Sequence, residues 1–240
     1  MAGNGRVTAA APGFPCQTCE VRDTAICKVL DDAELRQLNR ISTTARLDAG
    51  GTVFYEGDDS TYLFNVVSGS LRLSKLLPDG RRQVTGFLFP GDFLGLSIGG
   101  VYPYSAEALT AASLCRFDRP SLTRMLDRFP KLEHQLLSLA SNELAQAQDH
   151  LMVLGRKTAT ERIATVLLKL VDRIGKRGNS GCALDLPMTR SDLADYTGLT
   201  TETVSRTLSQ LKKQGIISTV GVRALHIPHL EALAGYSGDV

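Results

Sequence analysis

Three of the five cysteines crowd near the start of the chain, as Cys16-Gln17-Thr18-Cys19 followed by Cys27. A Cys-x2-Cys pair lets two thiolates of one turn face the same centre, and Cys27 offers a third. In a chain read as cytosolic, such a cluster suggests metal or redox chemistry more than structural disulfides. A four-cysteine zinc site usually shows a second Cys-x2-Cys pair, and none is present. A fourth thiolate must come from afar, from Cys115 or Cys182. Three clustered cysteines with a distant fourth is an arrangement known for iron–sulfur clusters. The plain alternative is a set of unrelated free thiols, although cysteines are seldom left on a surface.

A second constellation lies in Met188–Ile217. Two short helical runs flank Thr197-Gly198-Leu199, and Gly198 gives the turn its backbone freedom. Thr200 is a good N-cap for the second run, and Gly215 can close it. At about 100° per residue, Val204, Leu208 and Leu211 share one face. Glu202, Ser205, Arg206 and Ser209 share the opposite one. Arginine matches guanine O6 and N7, and glutamate accepts from the cytosine amino group. A helix-turn-helix sets the first turns of its second helix in the major groove. Lys212 and Lys213, near the helix end, suit phosphate. The plain alternative is an amphipathic helix with a solvated face.

The rest of the chain must position these groups. It holds 43% hydrophobic residues and a net charge of +2. Residues 156–240 carry 12 Lys/Arg against 8 Asp/Glu, and residues 1–155 carry 15 against 17, so the basic excess lies with the helix-turn-helix. No apolar run approaches a membrane helix and no signal segment opens the chain, which predicts a cytoplasmic protein. Residues 1–13, rich in Ala and Gly, read as disordered. Asp31–Arg40 reads as a helix with an Asp31/Glu34 capping box and a Leu30/Leu35 staple. From Ala45 to Arg119, short apolar runs broken by Gly50-Gly51, Gly57-Asp58, Pro78-Asp79-Gly80 and Pro90-Gly91-Asp92 predict a double-sheet β-roll. Asp118–Phe129 is a short helix.

Pro130–Leu154 is a long helix on which Leu137, Ala140, Leu144, Ala147, Leu151 and Leu154 follow a 3-4-3-4-3 spacing. That is the seam of a parallel dimer; Leu132, Leu136 and Leu139 serve the helix's own domain. Thr160–Arg173 is a further helix, Gly175–Gly181 a loop, and Ile216–Val220 with Ala224–Ile227 a hairpin wing. The overall expectation is an α+β chain. It has an N-terminal cysteine segment (1–29), a β-roll sensor domain (30–129), a dimerisation helix (130–155) and a winged helix-turn-helix DNA-binding domain (156–240).

The run Glu202-Thr203-Val204-Ser205-Arg206 resembles the recognition helix of the CRP/FNR transcription regulators, on the FNR side. Asn65-Val66-Val67-Ser68-Gly69-Ser70-Leu71 resembles their cyclic-nucleotide-binding fold. Cys16, Cys19, Cys27 and Cys115 match the four ligands that hold a [4Fe–4S] cluster in FNR-type oxygen sensors. The seven residues between Cys19 and Cys27 resemble the FnrN-like branch, and Cys182 has no counterpart among those ligands.

The resemblance implies an oxygen-responsive homodimeric activator. Its DNA contacts would fall at Thr200, Thr201, Glu202, Ser205, Arg206 and Lys212. Its target would be a palindrome of TTGAT and ATCAA half-sites with a four-base spacer. It also implies RNA polymerase as a partner, met by roll loops near Pro78–Arg82. Members that bind cAMP carry an arginine before the serine of Tyr104-Ser105-Ala106, and its absence here predicts no cyclic nucleotide. Two rivals stand beside this reading. One is a regulator whose cysteines bind zinc or act as thiol switches. The other is an iron–sulfur electron carrier or enzyme subunit, against which the lack of a catalytic triad or cofactor loop counts.

Overall fold

The computed structural model describes residues 7–8, 15–97, 99–178, 181–220 and 224–238. The chain divides into two compact units, Met1–Leu76 with Thr85–Leu144 and Leu77–Val84 with Ala145–Val240.

The first unit opens with strand β1 (Val7–Thr8), which pairs with Ala45 and Thr44 of β2 (Ser42–Leu47). This corrects the expectation for 1–13 at those two residues; the others of that stretch lie outside the described residues. Two 3-10 turns follow, Pro15–Thr18 and Ile26–Val29, then helix α1 (Asp32–Arg40). Asp31 accepts from the Ala33 and Glu34 amides at 2.9 Å, and Glu34 accepts from the Asp31 amide at 2.8 Å. This capping box places the start of the helix where the sequence does.

The strands that follow are β3 (Thr52–Phe54), β4 (Tyr62–Ser68), β5 (Leu71–Leu76), β6 (Arg82–Leu88), β7 (Phe93–Leu94), β8 (Ser105–Ala108) and β9 (Ala112–Asp118). They form two sheets, ordered β1-β2-β9-β4-β7 and β3-β8-β5-β6. Phe64, Val66 and Leu114 of the first sheet and Leu71, Leu73 and Ala106 of the second pack into one core. Alternation along β9 decides what lies outside the roll. Leu114 points inward, whereas Cys115 and Phe117 join a second cluster with Leu35, Leu38, Leu63, Leu122 and Ile26.

Helix α2 (Arg119–Arg128) starts at Asp118, which accepts from the Ser121 amide, and helix α3 spans Pro130–Arg156. Leu132 is fully buried in the second cluster and Leu136 and Leu139 lie against it, as their spacing predicts. Another face of α3 leaves Leu137, Leu144 and Leu151 63%, 61% and 68% exposed.

In the second unit α4 (Ala159–Ile174) is capped by Thr158 and buries Ile163, Val166, Leu167 and Leu170. The expected loop at Gly175–Gly181 is corrected. β10 (Lys176–Gly178) pairs with β11 (Gly181–Asp185) in a four-stranded sheet ordered β10-β11-β13-β12. Cys182 and Leu184 alternate inward with no exposure, a period too short to stand out beside so many glycines. The wing is β12 (Ser218–Val220) paired with β13 (Ala224–Ile227), followed by α7 (Leu230–Ala234). Between β11 and β12 lie α5 (Arg190–Thr197) and α6 (Thr201–Lys213).

Within this unit the His150 ring of α3 stacks on Tyr196 of α5, with centroids 4.1 Å apart, and its Nε2 is buried without a partner. Burial, with help from Lys169, pushes the His150 pKa below its ordinary value, and the Tyr196 carbonyl opposes that. On unfolding the ring regains its ordinary affinity for a proton. The unit therefore loses stability as the pH falls below about 6.5. Thermal melts at about pH 7.5 and about pH 5.5 check this, because His150→Phe should flatten that part of the dependence.

Candidate metal centre and nucleic-acid interface

Cys16 lies in the first 3-10 turn, Cys27 in the second, and Cys115 stands mid-way along β9, opposite Thr44 and Asn65. Together with Cys19 they line one concavity whose apolar wall is Val21, Ala25, Ile26, Leu38 and Phe117. All four are free thiols, half-buried. The Cys16 thiol donates to Asn39 Oδ1 at 3.3 Å, and the Ile26 amide donates to Asn65 Oδ1 at 3.5 Å. Gly91 adopts φ +99°, and a Cβ there would lie 2.6 Å from Thr24 Oγ1, so the turn holds this segment closely.

Burial pushes the Cys115 pKa up to about 12 and that of Cys16 up to about 11, with neighbouring thiolates adding to both. Cys27 is raised by the same causes. Without a ligand these three thiols are protonated at neutral pH. Among the described residues no three His, Cys, Asp or Glu side chains converge as around a single metal ion.

Of the two candidates for the distant thiol, Cys115 is the one that meets the clustered three. Cys182 is a core residue of the second unit, where a Cβ on Gly175 would lie 2.7 Å from its sulfur. The segment 15–29 also has more core than its composition suggests, since Val21, Ala25 and Ile26 are buried. Asn39 and Asn65 were not legible as neighbours of the thiols. They lie on α1 and β4, and no spacing links them to the cysteines.

The second site is local. Thr189 caps α5, and Gly198 ends it at φ +64°. Thr200 accepts from the Thr203 amide to start α6. At the other end the Ile216 amide donates to Leu211 O and the Gly215 amide to Lys212 O, the paired bonds of a Schellman cap. Val204, Leu208 and Leu211 are buried, while Thr200, Thr201, Glu202, Arg206 and Lys212 are exposed and Ser205 is half-exposed. Arg206 is paired with Glu202 one turn before it. Arg190 donates to Ser205 Oγ at 3.3 Å, and Lys212 donates to Thr219 of the wing at 2.8 Å. Arg82 meets the buried Asp192 carboxylate at 2.9 Å and that of Asp195 at 2.6 Å.

Residues 44–129 match the cyclic nucleotide-binding domain family, and residues 161–236 match the Crp-like helix-turn-helix domain. The nitrogen fixation regulation protein FixK of Bradyrhizobium diazoefficiens is 42% identical over 224 residues, which cover 92% of this chain and 94% of FixK. The chain is a CRP/FNR-family transcription regulator. The regulator is also 36% identical to the transcriptional activator protein FnrL of Cereibacter sphaeroides, over 93% of its own length and 92% of FnrL. The fumarate and nitrate reduction regulatory protein of Salmonella typhi is 33% identical to it, over 97% and 94%. The structure of FixK2 from Bradyrhizobium japonicum superimposes with a TM-score of 0.78 at 36% identity, covering 83% of the regulator and 99% of FixK2. The α+β architecture expected from sequence is thus the family's, and the regulator is a DNA-binding protein rather than an enzyme. No described helix is long and apolar enough to cross a membrane.

Proposed function

We propose that the regulator is an oxygen-responsive activator of low-oxygen genes in the cytoplasm, whose [4Fe–4S]-loaded homodimer binds TTGAT and ATCAA half-sites across a four-base spacer. One observation carries this reading: Cys16, Cys19, Cys27 and Cys115 line a single apolar concavity although Cys115 is distant in sequence. The donor set fits the group. Each iron of such a cluster takes one protein thiolate, so the sulfurs surround a volume rather than converge on a point. Zinc in a structural site needs that convergence.

Bound there, a cluster supplies oxygen-labile iron–thiolate bonds that tie residues 15–29 to β9. The protein does the rest. Ile26 and Leu30 share a packed layer with Leu132, Leu136 and Leu139 of α3. The segment's position is therefore felt at the root of the dimerisation helix. The exposed Leu137, Leu144 and Leu151, with Ala140, Ala147 and Leu154, form the seam with the partner copy. The two recognition helices then reach half-sites about one helical turn apart.

The roll serves as scaffold without a cyclic nucleotide, its interior filled by the Phe54–Tyr102 stack at 3.7 Å and by Val66, Leu71 and Ala106. RNA polymerase is met by the turn around Pro78–Arg81, since Arg82 is engaged by Asp192 and Asp195. The test is an anaerobic binding titration on the TTGAT/ATCAA palindrome, repeated after exposure to air. Affinity falls with the protein's brown colour if the reading is right. Equal affinity of coloured and bleached protein overturns it.

Arg206 reads the half-site guanine through two parallel hydrogen bonds once it leaves Glu202. Arg206→Ala should cost about 1–3 kcal/mol per half-site and relax preference at that base. Lys212→Ala should weaken all sequences alike and reduce the salt slope by about one unit per lost phosphate contact. Titrations on wild-type and guanine-substituted operators at several salt concentrations separate the two effects.

A further inference from the structure

We infer that a brace built on Arg162 sets the half-site spacing that the regulator accepts, by tying the end of the dimerisation helix to the turn of the helix-turn-helix. The inference rests on the dimer and palindrome readings above. Arg162 lies in the first turn of α4 and spends its guanidinium on three separate stretches of backbone. Nε donates to Lys157 O at 2.9 Å, Nη1 to Thr197 O at 2.9 Å and Nη2 to Leu154 O at 2.7 Å. Leu154 belongs to the last turn of α3, Lys157 to the link into α4, and Thr197 ends α5.

The last carbonyls of a helix have no partner within it, and a cation beside them is favoured. One guanidinium here serves the ends of two helices, α3 and α5. Its planar fork is rigid, so it holds those ends at one separation, as a flexible lysine would not. The fit is close: a Cβ on Gly198 would lie 3.4 Å from Leu154 Cδ2 and 3.5 Å from Arg162 Nη1. The His150–Tyr196 ring stack is a second brace between the same two helices. Two residues beyond Gly198, Thr200 caps α6. The junction therefore fixes the tilt of α6 against the end of α3, and all of it lies within one compact unit. In a two-fold dimer joined along α3, that tilt sets the distance between the two recognition helices. One base pair of spacer adds about 3.4 Å of rise. A braced junction discriminates between spacers, and a loose one does not.

The experiment uses the full chain purified without oxygen, as wild type, Arg162→Lys and Arg162→Gln. Each is titrated on a single half-site and on palindromes with spacers of three, four and five bases. Sedimentation and melting report assembly and folding. Arg162→Lys should stay dimeric and bind the single half-site as wild type does. On the four-base palindrome it should lose on the order of 10-fold in affinity, because the second half-site is no longer presented in place. Its preference among the three spacers should flatten, and Arg162→Gln should flatten it further. Wild-type spacer preference in both variants overturns the inference. So does an equal loss on every DNA, the single half-site included, which marks a purely structural role. If neither variant folds, His150→Leu decides: it removes the second brace and should flatten the preference in the same sense, and an unchanged preference overturns the inference. Wild type that binds all three spacers alike overturns it too. Wild type that binds a palindrome no better than a single half-site contradicts the palindrome reading itself, and is seen before any variant is compared.

Discussion

Leu144→Glu is expected to turn the anaerobic dimer into a monomer that keeps its cluster. Leu144 is 61% exposed in the single chain, between Leu137 and Leu151 of similar exposure. Three large apolar side chains one heptad apart on one helix are an incomplete surface. In a two-fold dimer each substitution counts twice. Losing two buried leucines removes roughly 3–6 kcal/mol, and two facing carboxylates then oppose association. The dimer constant should weaken by more than about 100-fold. The cysteine concavity lies elsewhere in the first unit and its iron should be unaffected. Anaerobic sedimentation with iron analysis of the same sample measures both. An unchanged dimer places the partner surface on another face.

Cys115→Ser is expected to fold and to lose the cluster, whereas Cys182→Ser keeps it. Cys115 is half-buried in the lining of the concavity, and a serine hydroxyl there is smaller than the thiol it replaces. Serine is nearly isosteric but is not a thiolate, so a full ligand is lost. Cys16→Ser, Cys19→Ser and Cys27→Ser should behave the same way. Cys182 packs behind Gly175 in the other unit, and its replacement affects stability rather than iron. Full iron in Cys115→Ser removes the basis for the distant ligand.

What was legible in the sequence follows the range of the interactions concerned. The capping box at Asp31, the left-handed Gly198 and the Schellman cap at Gly215 are set within a few residues. The helix-turn-helix could therefore be read from its residues alone. The heptad spacing of Leu137, Leu144 and Leu151 was legible because it is local to one helix, and the three side chains are exposed on α3. The choice between Cys115 and Cys182 was not legible from spacing, because it depends on which face of a strand each occupies. The inward packing of Val21, Ala25 and Ile26 follows no period in irregular backbone. Arg162 looks like any helix cation in the sequence, and only the fold shows that it joins three separate carbonyls.

Four thiolates of this chain are proposed to hold one [4Fe–4S] cluster. Iron, acid-labile sulfide and zinc determined on the anaerobically purified wild-type protein test it most directly. The expected result is about four irons and four sulfides per chain, no stoichiometric zinc, and a visible band that bleaches in air. A colourless protein with one zinc per chain, or with neither metal, contradicts it.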